Sequence, residues 1–237
     1  MHPDLSKLLD VQEKDEALRA LDDRDAALRA EETALDAALG TLAQGVEAAT
    51  RGVRDAERRR DEVEARVDSL RTHQQQRQQR LEFVRNPKEA AALMADLDLS
   101  RTMMTKEEGE WMQLSEAVGA AEQRVAERAA ARDATREAQR GERTAIDERR
   151  RAVAAERDAV AMEREARAGR LDRPLRARYD KLLRRRAANV VVPVRKNACS
   201  VCHTTIPLSR RGQLKGGLLL EGCEACGAIL YASDVNG

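Results

Sequence analysis

The sequence predicts a mostly α-helical protein, a long antiparallel coiled-coil hairpin followed by a small C-terminal β ribbon. Three observations predict this fold class. Apolar residues recur at alternating spacings of three and four from Val11 to Val84, one Asn-Pro pair interrupts the charged sequence at residue 86, and two Cys-x-x-Cys pairs lie near the end. With 36% charged and 2% aromatic residues, the 237-residue chain lacks the composition for a globular core of matching size.

The first helix is predicted over residues 4–84. Sixteen of the 22 positions in its three-four series are Leu, Val or Ala, which is typical of a coiled-coil seam with a left-handed supercoil. Polar residues at the remaining positions cost stability but can fix the register and the choice of partner helix. These polar residues are Lys14, Asp25, Glu32, Arg60, Gln74 and Arg77.

A second long helix is predicted over residues 87–168. Asn86 can cap it, Pro87 suits its first position, and Glu89 can return a hydrogen bond to the cap. The two helices have nearly equal lengths and a short connection, which favours an antiparallel hairpin over residues 1–168 with its turn near 85–87. The heptads alone also permit a parallel dimer of long helices, and self-association stays open.

Two smaller elements complete the predicted architecture. Residues 169–189 are predicted as a basic connecting helix that is capped by Asp172 and has Pro174 in its first turn. Residues 190–237 are predicted as a ribbon with short strands on either side of the cysteines. The predicted strands are Val190–Val194, Leu218–Glu221 and Ile229–Tyr231.

The cysteines predict a metal site. Cys199 and Cys202 are separated by 20 residues from Cys223 and Cys226, the spacing of a four-thiolate zinc site in which two knuckles complete a tetrahedron. Four thiolates leave no open position, so we expect one structural Zn²⁺. A disulfide framework is disfavoured because the sequence starts without the basic segment of a signal peptide. The spacing of the two pairs favours zinc over a thioredoxin-like redox pair. His203 is interpreted as an exposed loop residue.

Several classes of protein are not favoured by the sequence. It contains no Gly-rich phosphate loop and no arrangement of Ser, His and Asp or of Cys and His that is typical of a nucleophilic enzyme, so we expect no catalytic residues. No apolar run approaches the roughly 18 residues of a membrane span. We therefore expect a soluble, cytoplasmic protein without a membrane partner.

Charge is distributed unevenly along the chain. Residues 164–215 contain 15 Lys or Arg against three Asp or Glu, although the formal net charge of the whole chain is only +1. A concentrated basic segment beside a zinc ribbon is typical of nucleic-acid binding, and the few aromatic residues favour contacts to phosphates with little sequence specificity. The predicted binding residues are Arg173, Arg176, Arg178, Lys181, Arg184, Arg185, Arg186, Arg195, Lys196, Arg210, Arg211 and Lys215.

These motifs resemble a bacterial family, the C4-type zinc-ribbon coiled-coil proteins. The resemblance rests on the Asn-Pro-Lys-Glu sequence at residues 86–89, on Tyr179 and Leu182 before the ribbon, and on the two cysteine pairs, the second of which continues to Tyr231. It covers essentially the whole chain and implies a coiled-coil hairpin with a C-terminal zinc ribbon. A basic residue that is common in the family before Ile229 is replaced here by Ala228.

The resemblance also implies a role as a regulator or adaptor. Better-known relatives act in flagellar or type III secretion systems, bind the alternative sigma factor of RNA polymerase and, in one case, bind a messenger RNA. We therefore expect a non-enzymatic adaptor whose basic connecting helix and ribbon bind RNA or the transcription apparatus, with the coiled coil docking protein partners such as a sigma factor or a secretion component. The alternative is a structural scaffold or chaperone that binds proteins only, its basic face pairing with an acidic partner.

Overall fold

The computed structural model describes residues 2–185, 189–215 and 220–232, apart from the side chain of Lys215. Helices account for most of this chain, and the strands form one small sheet near its C-terminal end. The elements are α1 (Pro3–Phe83), α2 (Pro87–Ala138), α3 (Arg140–Ala168), α4 (Arg173–Arg185), β1 (Val191–Arg195), β2 (Ala198–Cys199), α5 (Leu208–Lys215), β3 (Glu221–Gly222) and β4 (Ile229–Ala232). The predicted fold class, an antiparallel coiled-coil hairpin with a small C-terminal β region, is confirmed.

The predicted seam of α1 is confirmed. Every position of the three-four series from Val11 to Leu81 is buried or half-buried. Several of its polar members pair with acidic or basic residues of the facing helices, as Lys14 does with Glu163 at 2.7 Å and Arg77 with Asp96 at 3.0 Å. Such pairs contribute little stability each, but they favour one register of the two helices over its neighbours.

The connection between α1 and α2 follows the predicted capping pattern. The Asn86 side chain accepts a 3.0 Å hydrogen bond from the backbone N–H of Lys88, and Pro87 occupies the first turn of α2. Glu89 differs from the expectation, because its carboxylate pairs with Arg80 at 2.9 Å. Arg80 lies in the last turn of α1, so this ion pair connects the two helix ends that meet at the turn.

The chain divides into two compact units, Met1–Glu32 with Thr144–Gly237 (unit 1) and Thr33–Arg143 (unit 2). In unit 2, α1 and α2 are antiparallel. Arg66 of α1 pairs with Glu107 of α2, whereas Arg80, which comes later in α1, pairs with Glu89, which comes earlier in α2. In unit 1, the first part of α1 is antiparallel to α3.

The second predicted helix differs from the expectation, because an interruption at Gln139 divides it into α2 and α3. Gln139 is buried and its side-chain amide donates to the backbone carbonyl of Leu35 at 3.3 Å. The backbone N–H of Arg143 still donates to the Gln139 carbonyl at 2.9 Å, so the helical hydrogen bonding continues past this residue. The interruption is therefore local.

The sheet has the strand order β2-β1-β4-β3, with β1 parallel to β4 and antiparallel pairing at both edges. Because successive side chains in a strand point to opposite faces, the sheet has two different environments. Val191 and Ile229 belong to a buried cluster with residues of α1, α3 and α4. Val192 and Leu230 belong to a second cluster that contains Cys199 and Cys223.

Among the helices of the described residues, none combines the length and the apolar character that a membrane-crossing helix needs.

Exposed glycines within α2 provide a test of this helix. A Cβ added at Gly109 or Gly119 would meet nothing within 4 Å, so Gly109→Ala and Gly119→Ala should each stabilise the protein by about 0.5–1 kcal/mol through helix propensity alone. Urea unfolding followed by circular dichroism measures this change. Gly45→Ala is the control, because its Cβ would lie 3.0 Å from Arg128 Nη1 and the gain should shrink. A loss of stability in both α2 variants would contradict the helical assignment.

Candidate metal centre and its basic surroundings

The first cysteine pair follows a tight β-hairpin. Lys196 and Asn197 connect β1 to β2 with positive φ angles of 48° and 63°, which is the backbone of a two-residue hairpin turn. This turn places Cys199 opposite Val194 in the antiparallel ladder. Cys199 is thereby held at the edge of the sheet, and Cys202 follows it in a turn.

The two knuckles share one backbone hydrogen-bond pattern. The N–H of Cys199 donates to the Thr204 carbonyl at 3.0 Å, and the N–H of Cys223 donates to the Ala228 carbonyl at 2.7 Å. In each knuckle the residue after the second cysteine has a positive φ, 58° at His203 and 75° at Gly227. The knuckles are therefore structural repeats, and glycine relieves the backbone strain in the second one.

Four sulfur atoms converge between the knuckles. All four Sγ atoms lie within 4.8 Å of one another, with Cys199 and Cys226 separated by 3.7 Å and Cys202 and Cys223 by 3.5 Å. These separations exceed the roughly 2.05 Å of a disulfide bond, and none of the four cysteines forms a disulfide. The predicted ligand set is therefore assembled in one place and could hold a metal ion.

The environments of the thiols differ within this cluster. Burial raises the pKa of the Cys223 thiol to about 12 and also raises the pKa of Cys199. Hydrogen bonding with the side chain and the backbone of Thr204 lowers the pKa of Cys202 to about 6. A cation at the centre would stabilise the thiolate form of all four sulfurs, since metal binding displaces thiol protons.

His203 was predicted to be an exposed loop residue, and it is exposed. Among the described residues, the metal-binding cluster comprises the four cysteines and no histidine. The left-handed backbone at His203 thus belongs to the knuckle geometry and does not bring the imidazole into the ligand set.

Polar residues of the first helix hold β1 in place. The Gln12 side chain donates to the Val191 carbonyl at 3.0 Å and accepts from the Val191 N–H at 2.6 Å, so one amide satisfies both backbone groups of a buried strand residue. Gln12 itself is buried. The Gln12 side chain thus pairs with the backbone of β1 as a neighbouring strand would, and it connects β1 to α1.

A second buried contact holds α4. The Tyr179 hydroxyl donates to the Asp15 carboxylate at 2.8 Å, and Arg164 binds the other Asp15 oxygen at 3.1 Å and Asp180 at 2.7 Å. Tyr179 is 0% exposed. We define these residues, together with Gln12 and Val191, as the junction. Gln12 and Asp15 could not be predicted from the sequence, because nothing in it marks two polar residues beside a seam as partners of residues about 165–180 positions away.

Many of the predicted binding cations are already paired. Arg176 binds Glu165 at 2.6 Å, and Arg210 binds Glu221 at 2.6 Å and Glu224 at 2.7 Å. Arg178 donates to the Leu220 carbonyl, and Arg211 donates to the Asn197 side chain. These four arginines therefore connect segments of unit 1.

Other predicted cations are exposed and have no acidic partner among the described residues. On α4 they are Arg173, Lys181, Arg184 and Arg185, which we define as the cationic stripe. Arg195 and Lys196 are exposed at the β1–β2 turn. Arg186 and the side chain of Lys215 lie outside the described residues.

The chain matches no family model and no curated protein. It is similar to several solved structures. CT398 from Chlamydia trachomatis has a TM-score of 0.84 and 20% identity over 97% of both chains. A protein from Mycobacterium smegmatis has a TM-score of 0.71 and 19% identity over 98% of this chain and 100% of its own. HP0958 from Helicobacter pylori has a TM-score of 0.56 and 13% identity over 98% of both chains. At these identities the likeness shows the fold.

The junction predicts a pH dependence of stability. Burial, reinforced by the Asp15 charge, raises the pKa of Tyr179 above its ordinary value. A raised folded-state pKa gives stability that is complete below the unfolded pKa of about 10 and is lost as the pH rises above it, at up to about 1.4 kcal/mol per pH unit. Tyr179→Phe should cost about 1–2 kcal/mol near neutral pH and flatten this loss.

Urea unfolding at pH values on both sides of about 10 measures the effect. Tyr231→Phe is the matched control, because it makes the same chemical change at a half-buried tyrosine and should leave the alkaline loss in place. An alkaline loss of equal slope in Tyr179→Phe and the parent protein would show that another group causes it.

Proposed function

We propose that this chain is a non-enzymatic, cytoplasmic adaptor whose cysteines hold one structural zinc ion and whose cationic stripe binds RNA. The observation that carries the RNA-binding part is the set of exposed cations on one helix of unit 1 that have no acidic partner among the described residues. Membership of the bacterial C4-type zinc-ribbon coiled-coil family is part of the same proposal.

The sulfur geometry supports zinc as the metal. A Zn–S bond of about 2.3 Å places the sulfurs of a regular tetrahedron about 3.8 Å apart. The Sγ separations of 3.5 and 3.7 Å are close to that value. Four thiolates complete the coordination of zinc and leave no position for water or substrate, which supports a structural metal over a catalytic one.

The layout of α4 supports an electrostatic binding surface. Arg173, Lys181 and Arg184 lie within about 80° of one another around the helix, since each residue advances about 100°. Tyr179 lies on the opposite side, where it is buried in the junction. The stripe therefore faces solvent along about 18 Å of helix. Cations that are not neutralised by the protein attract phosphates and release their counterions.

Exposed apolar side chains of unit 2 support the second part of the proposal, in which the coiled coil docks protein partners. Phe83 is 82% exposed, and Leu99, Met103 and Met112 of α2 are also exposed. Large apolar residues outside the seam have no role in pairing α1 with α2. They also favour the alternative function, a structural scaffold or chaperone that binds only proteins, for example those of a secretion or flagellar system. Affinity capture from nuclease-treated lysate separates the two functions, because a protein partner should survive the nuclease.

RNA binding can be tested by charge reversal. A fluorescently labelled RNA hairpin should bind the full chain with an affinity that falls as salt rises from about 50 to 200 mM. Combining Arg173→Glu, Lys181→Glu and Arg184→Glu should weaken binding at least about tenfold. It should also reduce the slope of log K against log salt by about 0.7–0.9 for each lost phosphate contact. Fluorescence anisotropy measures both quantities.

The matched control reverses three exposed arginines of α1, Arg51, Arg54 and Arg59. This variant has the same net charge as the stripe variant, so it should keep the affinity of the parent protein if the stripe is the binding site. Equal losses in the two variants would mean that only net charge matters. Affinity that is independent of salt would exclude the proposed function.

Metal removal tests the zinc site. Native mass spectrometry should find one zinc ion per chain, and chelation should unfold the ribbon while most of the helical circular dichroism remains, because the helices pair outside the metal site. Cys202→Ser should weaken zinc binding strongly. Ser200→Ala, a change inside the same knuckle that leaves all four sulfurs in place, should retain the metal. Ribbon amide signals that stay dispersed in metal-free protein would contradict a structural role for the metal.

A further inference from the structure

Among the described residues of unit 1, no platform of aromatic rings accompanies the cationic stripe. The chain contains two tyrosines, one tryptophan and one phenylalanine. Tyr179 is buried, and its hydroxyl donates a hydrogen bond to Asp15. Tyr231 is half-buried against the buried cluster that contains Val191 and Ile229. Phe83 and Trp111 belong to unit 2. His203 adds a single exposed imidazole at the first knuckle, which is too little for stacking successive bases.

This distribution matters because proteins that hold single strands combine cations with exposed rings. Stacking of bases on those rings compensates for ordering a flexible strand. A surface with cations alone offers no such compensation. A double helix needs none, since its phosphates are already ordered and its charge density is higher than that of a single strand.

The stripe also presents its cations at fixed positions. Arg173 and Lys181 are about 12 Å apart along the axis of α4, and Lys181 and Arg184 about 4.5 Å, at 1.5 Å per residue. The other side of α4 packs in the buried cluster that contains Val191 and Ile229, through Leu175, Tyr179, Leu182 and Leu183. The opposite side presents arginine and lysine side chains, whose contacts to phosphate oxygens position a nucleic acid without reading its sequence.

We infer that the cationic stripe binds the phosphate backbone of double-helical nucleic acid, in preference to single strands and without sequence preference. This inference rests on the proposed RNA-binding function and specifies the ligand of that site. A base-paired stem of a folded RNA supplies this chemistry, and so does a DNA duplex. The arms of the experiment distinguish these two sources.

The experiment compares four probes of equal length by fluorescence anisotropy with the full chain. They are an RNA duplex, a DNA duplex, one strand of the RNA duplex that does not pair with itself, and an RNA duplex of scrambled sequence. We expect at least one duplex to bind about fivefold or more tightly than the single strand. The original and scrambled duplexes should agree within about twofold.

Two variants make the comparison decisive. The Arg173→Glu, Lys181→Glu, Arg184→Glu variant should lose duplex binding at least about tenfold, whereas His203→Ala should change the affinity for either form less than about twofold. A single strand that binds as tightly as the duplexes, or a loss of single-strand binding in His203→Ala, would overturn the inference while the proposed function stands. An absence of salt-dependent binding to all four probes would overturn both.

Discussion

The junction is the constraint on which the arrangement of unit 1 depends. Asp15 accepts hydrogen bonds from Tyr179 and Arg164, and Gln12 satisfies both backbone groups of Val191. Buried polar groups are costly unless they are paired, so each contact permits only a narrow range of positions for its partner. Two neighbouring turns of α1 thereby fix α4 and β1, although these elements lie more than 160 residues away in sequence.

The junction also decides which cations remain exposed. Arg164 lies inside the junction, where it pairs with Asp15. Arg176 lies beside the junction, where Glu165 and Asp180 neutralise its charge. On α5, Arg210 is neutralised by Glu221 of β3 and by Glu224. A segment that appears uniformly basic in sequence therefore contains two populations. One set of arginines connects elements of unit 1, and the other set faces solvent on α4 with no compensating charge among the described residues.

The predictable features of the fold are those encoded locally. The three-four series fixes the buried face of α1, Asn86 and Pro87 begin α2, and the cysteine spacing brings the four sulfurs together. The unpredicted features depend on distant partners. In the sequence, Asp15 cannot be distinguished from the other acidic residues of α1. What distinguishes it is its hydrogen bond with the distant residue Tyr179. The helix α5 was missed because eight residues of mixed polarity carry no clear period, and its burial comes from Leu214 packing against the cysteine face of the sheet.

The two faces of the sheet separate the roles of the metal and the stripe. Cys199 and Cys223 lie with Val192 and Leu230 on one face, whereas Val191 and Ile229 lie on the other face with the junction. Asp15 and Arg164 hold α4 through contacts that include no cysteine. A metal ion would therefore stabilise the knuckles and the strand ladder, while the coiled coil itself orients the cationic stripe. Because α4 is fixed from the helical side, its charges keep their spacing by a mechanism that does not require the metal.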